Sequence, residues 1–385
     1  MLYRIAEFSS VSSFFLFGAR GTGKTWLLMD RYNPEEAIYI DLLNPDIERR
    51  YLLDPNELLK ELAAVDARKE WIIIDEIQKV PKLLDLVHQQ IETAGQKFIL
   101  SGSSARKLKR GAANLLAGRA FVYHLYPLAA RELGKLFSLE DALNWGTLPR
   151  LLELHNPSDK YEYLRAYTNT YIREEILQEQ IVRKLEPFQR FLQVAAQMSG
   201  RVINYSKIAK EAGTSVPTVQ SYFQILEDTL LGFTIPAFHE SIRKRQRESP
   251  KFYFIDGGIQ RALNDELLIP LKPKTYSYGF AFEQFVINEI YRLQSYYRKD
   301  YRLSYLRTGA DVEVDLVIER PGEKRAVVEI KSATKINDAD VRAIQSLGSG
   351  IRDSELYCFS LDPTVKKIGD VLCIPWQRGL EEIGL

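Results

Sequence analysis

The sequence predicts an α/β protein with a parallel sheet first, a helical middle part, and a second α/β part last. Three observations predict this order. Residues 1–132 alternate short apolar runs with helical segments, which is typical of a parallel sheet covered on both faces. Residues 187–248 read as three helices, the last two joined by a short turn with glycine, and a strand. Residues 249–385 return to alternating strands and helices.

Length and charge restrict the class of protein. A chain of 385 residues predicts two to three domains. Its 52 Lys and Arg against 51 Asp and Glu give a net charge of +1, which excludes a wholly basic nucleic-acid binder but not a locally basic groove. Cys358 and Cys373 are too few for a disulfide framework or a Cys/His metal cluster, which favours a cytoplasmic location. Neither a signal-peptide pattern nor an apolar run near the roughly 20 residues of a membrane span is found, so no membrane partner is expected.

A phosphate-binding loop is predicted where the apolar strand 14–17 breaks and a helix begins. The pattern there is G-x-x-x-x-G-K-[ST] in its strand–loop–helix context. Glycines let the backbone N–H groups point at phosphate oxygens, and the helix N-terminus adds a positive dipole end. Lys24 is expected to reach the outer phosphates of ATP, and the Thr25 hydroxyl to ligate Mg²⁺. The predicted binding residues are Gly18, Gly21, Thr22, Gly23, Lys24 and Thr25.

An acidic pair, Asp75 and Glu76, ends the apolar strand that begins at Trp71. Beside a phosphate loop, Asp75 would hold Mg²⁺ and Glu76 would polarise the attacking water. The alternative is a strand followed by an acidic helix cap.

Polar residues after the next strands complete the predicted nucleotide site. Ser101 and Ser103 are candidates to contact the γ-phosphate or the attacking water, or else they cap the next helix. Arg119 is a candidate arginine finger for a neighbouring subunit, or a surface arginine. A basic cluster at 106–110 is either a solvated face or a lining for DNA.

These features together resemble the AAA+ superfamily of P-loop ATPases. The segments DEIQKVP, LSGSS, AGR and YPLAARE, within 75–132, resemble one prokaryotic family with a C-terminal domain of unknown function. The resemblance implies ATP and Mg²⁺ binding, ATP hydrolysis and a ring-type homo-oligomer.

The middle of the chain is predicted to contain a helical lid and a winged helix. Residues 133–184 are helical by periodicity and predict a lid or linker over 133–186, and 187–248 show the winged helix-turn-helix order. The third helix would present Thr218, Gln220 and Ser221 outward, toward DNA or a docking protein. The basic run 241–251 follows, as a phosphate contact or a solvated linker.

Residues 249–385 carry an acid–lysine pattern on two strands. Asp315 lies on one strand, Glu329 and Lys331 share a face of the next, and Glu283 lies on the preceding helix. This order resembles the PD-(D/E)XK restriction-endonuclease-like nucleases, although Val314 stands where that pattern has proline. The resemblance implies a Mg²⁺ or Mn²⁺ site on Glu283, Asp315 and Glu329, with Lys331 orienting the water. Gln345 is a further candidate on the following helix. The alternative is a relic fold or a structural Glu–Lys pair.

Two functions therefore remain open. The first is an AAA+ ATPase (1–132) with a helical lid (133–186), a winged helix (187–248) and a metal-dependent nuclease domain (249–385), which acts on DNA as a homo-oligomer. The second is an ATP-switched scaffold or signalling ATPase whose last domain binds DNA or protein without cutting it.

Overall fold

The computed structural model describes residues 3–64, 69–104, 118–171, 185–240, 248–308, 312–348 and 350–385. The chain divides into two compact units. Unit 1 contains residues 1–128, 148–150 and 228–231, and unit 2 contains residues 129–147, 151–227 and 232–385. The finer division into four domains stays a prediction.

Unit 1 is built on a five-stranded, wholly parallel sheet in the order β2–β3–β4–β1–β5. Its elements are β1 (Ser13–Phe17), α1 (Lys24–Arg31), β2 (Ala37–Asp41), α2 (Pro45–Leu53), α3 (Glu57–Ala63), β3 (Trp71–Asp75), α4 (Leu83–Ala94), β4 (Lys97–Gly102) and β5 (Ala120–His124). The strands β1 and β3 are buried along their whole length, as expected for a sheet covered on both faces. The predicted α/β class with a parallel sheet is therefore confirmed.

The carboxyl ends of four strands meet at one edge of this sheet. Asp41 pairs in register with Asp75, and Phe17 pairs with Gly102. The register thus places the loop after β1, the acidic end of β3 and the polar end of β4 side by side. Ligands of open parallel sheets bind at this kind of edge.

Unit 2 begins with short helices and ends with a six-stranded mixed sheet in the order β12–β13–β11–β10–β9–β8. Its helices are α5 (Ala130–Leu133), α6 (Leu139–Trp145), α7 (Pro157–Ala166), α8 (Leu185–Gln197), α9 (Tyr205–Ala212), α10 (Val216–Asp228), α11 (Gly257–Leu263), α12 (Tyr276–Tyr296), α13 (Asp338–Gly348) and α14 (Trp376–Glu382). Its strands are β6 (Gly232–Ile235), β7 (Lys251–Phe254), β8 (Arg302–Arg307), β9 (Glu313–Glu319), β10 (Arg325–Lys331), β11 (Ser354–Ser360), β12 (Lys366–Ile368) and β13 (Val371–Pro375).

The centre of the large sheet combines both strand directions. β9 runs antiparallel to β8 and β10, whereas β11 runs parallel to β10 and β13. The helix α12 precedes β8, and α13 connects β10 to β11 as the crossover that a parallel pair requires. The strands β6 and β7 form a separate antiparallel hairpin after α10.

The described part of the segment predicted as helical, 133–184, contains several short helical segments rather than one long helix. Glycines at positive φ, Gly134 and Gly146, end two of these helices. Residues 172–184 lie outside the described residues, as do 105–117 with the basic cluster 106–110 and most of the basic run, 241–247.

Several elements were not expected from the sequence. They are α2, α4, α14 and the strands β8 and β12. The strand β12 is only three residues long, and β8 carries few consecutive apolar residues, so neither shows the alternation that predicts a strand.

Candidate functional site

The loop after β1 has the backbone of a phosphate cradle. Gly21 and Gly23 adopt positive φ angles of 78° and 90°, which glycine reaches without steric cost. A Cβ atom at Gly18 would overlap with the backbone oxygen of Leu125, so only glycine fits there. The Thr22 hydroxyl donates a 2.8 Å hydrogen bond to the Ala19 oxygen, which fixes the curl of the loop.

Lys24 is buried against the same loop. Its Nζ donates to the backbone oxygens of Gly18, at 2.7 Å, and Ala19, at 3.4 Å. The ammonium group is therefore held at the mouth of the cradle by neutral carbonyl oxygens. Anionic phosphate oxygens make stronger hydrogen bonds to an ammonium group than carbonyl oxygens do, so a bound phosphate would compete for it.

Asp75 is fully buried at the end of β3 and accepts hydrogen bonds from three hydroxyl groups. Thr25 Oγ1 donates to its Oδ2 at 2.6 Å, Tyr39 also donates to Oδ2, and Ser101 donates to Oδ1. Burial and the charge of Asp75 both raise the pKa of Tyr39, so this phenol stays protonated as a donor. Thr25 and Asp75, the two predicted Mg²⁺ ligands, thus lie in direct contact.

Ser101 and Ser103 occupy different environments. Ser101 is fully buried, and its hydroxyl donates a hydrogen bond to Asp75 Oδ1. In the structure, Ser101 therefore fixes the orientation of the Asp75 carboxylate. Ser103 is half-buried and accepts a 3.3 Å hydrogen bond from the Gln78 side chain. A contact of either serine with the γ-phosphate stays a prediction.

Glu76 has a backbone conformation that is unusual for a glutamate. Its φ of 59° and ψ of 46° place it in the left-handed region, where residues other than glycine are rare. Gln78 Nε2 donates to the carboxylate of Glu76 and also reaches Ser103, which holds the glutamate side chain beside the end of β4. Strained residues of this kind cluster at functional sites.

Arg119 lies at the other end of the sheet. It precedes Ala120, which pairs with Ser13 at the start of β1, whereas the phosphate loop follows the end of β1. Its Nε forms an ion pair with Glu92 on α4. Five residues of strand separate the two ends by about 15 Å, so Arg119 does not belong to the nucleotide site of its own chain.

A second cluster of charged side chains lies in unit 2, between α12, β7, β9 and β10. It brings together the four predicted residues of the C-terminal part. We call it the acid–lysine cluster and define it as Lys251, Glu283, Glu313, Asp315, Glu329 and Lys331.

Hydrogen bonds in the acid–lysine cluster join β7, β9 and β10. Asp315 Oδ2 accepts from the backbone N–H of Ile330 at 2.7 Å, and Lys331 Nζ donates to Glu329 Oε1 at 2.5 Å. Lys251, which is buried, pairs with Glu313 and lies 4.0 Å from Glu283. The alternation of side chains predicted for β9 and β10 therefore places these groups on a common face.

Burial changes the protonation of these acids. It raises the pKa of Glu283 to about 8 and of Glu329 to about 8, and the charge of Asp315 adds to both shifts. Burial raises the pKa of Asp315 as well. Burial alone would lower the pKa of Lys331, but the charges of Glu329 and Asp315 outweigh it and raise that pKa. The carboxyls thus lack sufficient positive charge nearby.

The cluster offers oxygen donors of the kind that divalent metals prefer. Glu329 Oε2 is buried and has no hydrogen-bond partner, which is costly unless a cation or proton satisfies it. Four carboxyls face two lysines, an excess of two negative charges when all are ionised, which is the charge of one divalent cation. As placed, however, no three His, Cys, Asp or Glu side chains among the described residues could hold a metal ion. Metal binding would therefore require side-chain movement.

Other predicted residues lie elsewhere. Gln345 donates its side-chain amide to the Ile368 oxygen at 3.1 Å, next to the β12–β13 hairpin, and its role as the polar residue on this helix stays a prediction. On α10, Gln220 is exposed and Thr218 and Ser221 are partly exposed.

Among the described helices, none has the length and apolar composition needed to cross a membrane.

Sequence reasoning missed Tyr39, Gln78, Lys251 and Tyr253. Tyr253 donates a 3.4 Å hydrogen bond to Glu283 Oε1. Lys251 begins the apolar run KFYF, and a lysine inside a buried strand needs acidic partners, which was the available signal. The sequence held no comparable signal for Tyr39, because its partner Asp75 is distant along the chain, nor for the contact of Gln78 with Ser103.

Comparison with protein families identifies the class of the first unit. Residues 11–134 match the family described as AAA domain. The match agrees with the parallel sheet and the phosphate loop of unit 1 and supports a P-loop ATPase domain there. Residues 136–269 and 278–378 match two families described as domains of unknown function, DUF8612 and DUF4143.

Relatives of the whole chain come from bacteria and archaea. It is 28% identical over 316 residues to the uncharacterized protein Rv2008c of Mycobacterium tuberculosis, covering 80% of this chain and 67% of that protein. It is 23% identical over 354 residues to the uncharacterized protein MJ1544 of Methanocaldococcus jannaschii, covering 83% and 77%.

Solved structures show only partial likeness. The Aeropyrum pernix ORC2 protein, in ADPNP–ADP complexes, gives a TM-score of 0.35 at 12% identity over 67% of this chain and 87% of that one. Domain III of the Thermotoga maritima replication initiation protein DnaA gives 0.27 at 16% identity over 43% and 78%.

Proposed function

We propose that this protein is an ATP-hydrolysing AAA ATPase whose second unit carries a divalent-metal-dependent phosphodiesterase site. The observation that supports the second part best is the acid–lysine cluster. Its Asp315, Glu329 and Lys331 come from neighbouring strands, and Glu283 comes from the helix before them. Its Lys251 and Glu329 are buried, it is short of positive charge, and it has one unpartnered carboxylate oxygen.

In unit 1, different residues of the nucleotide site bind the phosphates, bind Mg²⁺ and orient the attacking water. The loop at Gly18–Thr25 and Lys24 hold the phosphates, while Thr25 and Asp75 provide the oxygen ligands for the Mg²⁺ that accompanies ATP. Glu76 accepts a proton from, or orients, the attacking water. Gln78 donates a hydrogen bond to the Glu76 carboxylate and holds it in place. The attacking water therefore meets a carboxylate of fixed position that can accept its proton.

In unit 2, Glu283, Asp315 and Glu329 would hold Mg²⁺ or Mn²⁺. When bound, such a metal lowers the pKa of a water and neutralises charge on the phosphodiester. Lys331 then lies beside Glu329, where its ammonium group can orient the attacking water and stabilise the phosphate. Ionisation of the acids would accompany metal binding, because both pKa values near 8 are above their usual range.

DNA is the proposed substrate. The helices α8, α9 and α10 and the hairpin β6–β7 follow the order of a winged helix-turn-helix, a module that often places its last helix on DNA. The hairpin strand β7 also supplies Lys251 to the acid–lysine cluster. The proposed DNA-positioning module and the proposed cleavage site thus share one strand.

The central experiment measures cleavage of linear, circular and single-stranded DNA by the full chain. It is run with Mg²⁺ or Mn²⁺, with and without ATP. We expect metal-dependent cleavage by the wild type and its loss, by roughly a hundredfold or more, in Lys331→Ala and Glu329→Gln. Lys24→Ala should abolish ATP binding, and Glu76→Gln should keep ATP binding but lose hydrolysis.

Lys367→Ala is the matched control for Lys331→Ala, because Lys367 is an exposed lysine on a strand of the same sheet. It should cut like the wild type. If no metal supports cleavage while ATP turnover is intact, the phosphodiesterase proposal fails. If Lys24→Ala still binds ATP, the assignment of the nucleotide site fails.

A second candidate is an ATP-switched scaffold whose second unit binds DNA or protein without cutting. One observation favours it: as placed, Lys251 pairs with Glu313 and Lys331 pairs with Glu329, and no group of three metal-binding side chains is assembled among the described residues. In this case the acid–lysine cluster only stabilises the fold. Lys331→Ala would then lower the thermal unfolding temperature, and added Mn²⁺ would not protect the wild type.

A further inference from the structure

A cleft of about 330 Å³ opens in unit 2 near the N-terminal end of α12. It is bounded by the end of α8, the end of α11 and the first turns of α12. A volume of this size accommodates a small ligand. It is too small for a helix or for duplex DNA.

The lining of this cleft combines aromatic, cationic and amide side chains. Tyr276 is 75% exposed, and Phe280 lies one turn further along α12. Arg201 is exposed, and within the described part of the chain its guanidinium has no carboxylate partner. Gln197 and Asn264 add side-chain amides that can both donate and accept hydrogen bonds.

The charge of the lining favours an anion. Arg201 and Arg261 line the cleft, and Glu266 is the one acidic side chain among its described lining residues. The Arg261 guanidinium is held by the backbone oxygens of Asn144, Glu266 and Ile269, so its positive charge is fixed in the wall. The exposed Arg201 remains available to a ligand.

The cleft leads to the acid–lysine cluster along α12. Glu283 follows Phe280 by three residues and Tyr276 by seven, so the three side chains lie on one face of the helix. The helical rise places them about 5 and 10 Å apart along the axis.

The rings of Phe280 and Tyr253 also meet at Gly200. A Cβ atom at Gly200 would lie 2.8 Å from Phe280 and 3.2 Å from Tyr253, and the Tyr253 hydroxyl donates to Glu283. Phe280, which lines the cleft, and Tyr253, which contacts Glu283 of the cluster, therefore both pack against Gly200.

We propose that this cleft binds one unstacked nucleotide of a single-stranded nucleic acid whose neighbouring phosphate reaches the acid–lysine cluster. Tyr276 and Phe280 stack on the base, Arg201 contacts the backbone phosphate, and the amides of Gln197 and Asn264 contact the base edge. A paired base remains inside its stack and cannot enter. The binding site stands on its own geometry, and only the cleavage of the bound strand rests on the proposed function.

The test measures binding of a fluorescein-labelled thymidine strand of about 12 nucleotides. The full chain is titrated in EDTA and followed by anisotropy, beside a duplex of equal length. Stacking on one aromatic ring contributes about tenfold or more in affinity. We therefore expect Tyr276→Ala to weaken single-strand binding about tenfold and to leave duplex binding unchanged, while Tyr276→Phe binds like the wild type.

Arg201→Ala should weaken single-strand binding and lower the slope of log K against log salt concentration by close to one unit. Tyr3→Ala and Arg352→Ala are matched controls, because both residues are exposed and neither lines the cleft. Both should bind like the wild type.

Three results would overturn the proposal. These are no single-strand binding by the wild type, unchanged affinity in Tyr276→Ala, or an equal loss on strand and duplex. The cleavage assay with Glu329→Gln is read separately. A protein that binds the strand through Tyr276 but never cuts it disproves the phosphodiesterase and leaves the cleft assignment intact.

Discussion

Asp75 shows how one side chain organises the nucleotide site. It is fully buried, and its two oxygens accept from hydroxyls on three different elements: Thr25 on α1, Tyr39 on β2 and Ser101 on β4. Unpaired, a buried carboxylate would be costly, so these donors fix its position before any cation arrives. Groups that orient a metal ligand typically contribute tenfold to a hundredfold in metal affinity.

Tyr39→Phe tests this arrangement. The variant keeps the ring but removes one donor to Asp75 Oδ2. We expect the Mg²⁺ concentration for half-maximal ATPase activity to rise about tenfold, with ATP binding in EDTA unchanged. Tyr3→Phe, at an exposed tyrosine of the same unit, is the control. An unaltered Mg²⁺ requirement in Tyr39→Phe would show that Tyr39 does not position Asp75.

Glu289 is a buried acid on α12 outside both proposed sites. Burial raises its pKa to about 7, although Arg292 at 3.5 Å and the N–H of Ala130 at 2.9 Å oppose the shift. Glu132 adds to the shift and Arg131 opposes it. The folded state therefore binds the proton more tightly than the unfolded chain, whose glutamate has a pKa near the ordinary value of 4.5.

This shift predicts a pH-dependent stability. The contribution of Glu289 is complete below about pH 4.5 and is lost as the pH rises through about 7. Glu289→Gln should remove a decline in the free energy of unfolding of on the order of 2 kcal/mol between about pH 5 and about pH 8. Urea midpoints across that range measure it. Equal slopes in both proteins would contradict the prediction.

At the scale of elements, the close approach of α6 and α11 depends on glycine. Asp256 caps α11 by accepting from the N–H groups of Gly258 and Ile259, and its other oxygen accepts from Thr147 N–H at 2.7 Å. A Cβ atom on Gly258 would overlap with the backbone oxygen of Trp145 at the end of α6. Backbone cannot yield as a flexible side chain can, so the two elements would have to separate.

Gly258→Ala should therefore lower the free energy of unfolding by about 1–3 kcal/mol. Gly279→Ala is the matched control, because Gly279 is also a helical glycine of unit 2, but its Cβ would meet Ser332 Oγ at an ordinary 3.5 Å. Alanine favours a helix interior, so this change should be neutral or stabilising by up to about 1 kcal/mol. Equal urea midpoints for the two variants would refute the packing argument.

Most strands of the two sheets were predictable because their apolar runs are local signals. The strand Trp71–Asp75 begins at the predicted Trp71 and ends within one residue of its predicted end, and Arg325–Lys331 contains the predicted Glu329 and Lys331. The helix α2 was missed although Asn44 caps it and Pro45 begins it, because its surface-facing sequence is weakly apolar. A local sequence pattern predicts a helix or a strand only where the apolar residues of that element recur with the period of a helix or a strand.

At the scale of the whole molecule, Arg119 raises the question of assembly. It lies at the amino end of β5, and the phosphate loop lies at the carboxyl end of the parallel sheet. A role in ATP hydrolysis therefore requires a second copy of the chain, whose nucleotide site Arg119 would complete.

Mixing two inactive variants tests that role. Lys24→Ala lacks its own nucleotide site but keeps Arg119, and Arg119→Ala keeps the site but lacks the arginine. Each alone should lose at least about a hundredfold in ATPase activity, and their mixture should regain a measurable fraction. Arg352→Ala is the control for loss of an exposed arginine. If Arg119→Ala alone keeps its ATPase activity, Arg119 has no role in hydrolysis, and if both variants are inactive and their mixture stays inactive, Arg119 does not complete the site of a second copy.

The sequence by itself determined the parallel sheet of unit 1, the phosphate loop and the residues of the acid–lysine pattern, because each depends on neighbours along the chain. The tertiary structure decided which groups meet. It brought Tyr39 to Asp75 and Lys251 to Glu313, and it paired the Gln345 amide with the Ile368 oxygen. These pairings depend on strand order and register, which join residues far apart in sequence. Local periodicity does not specify that information.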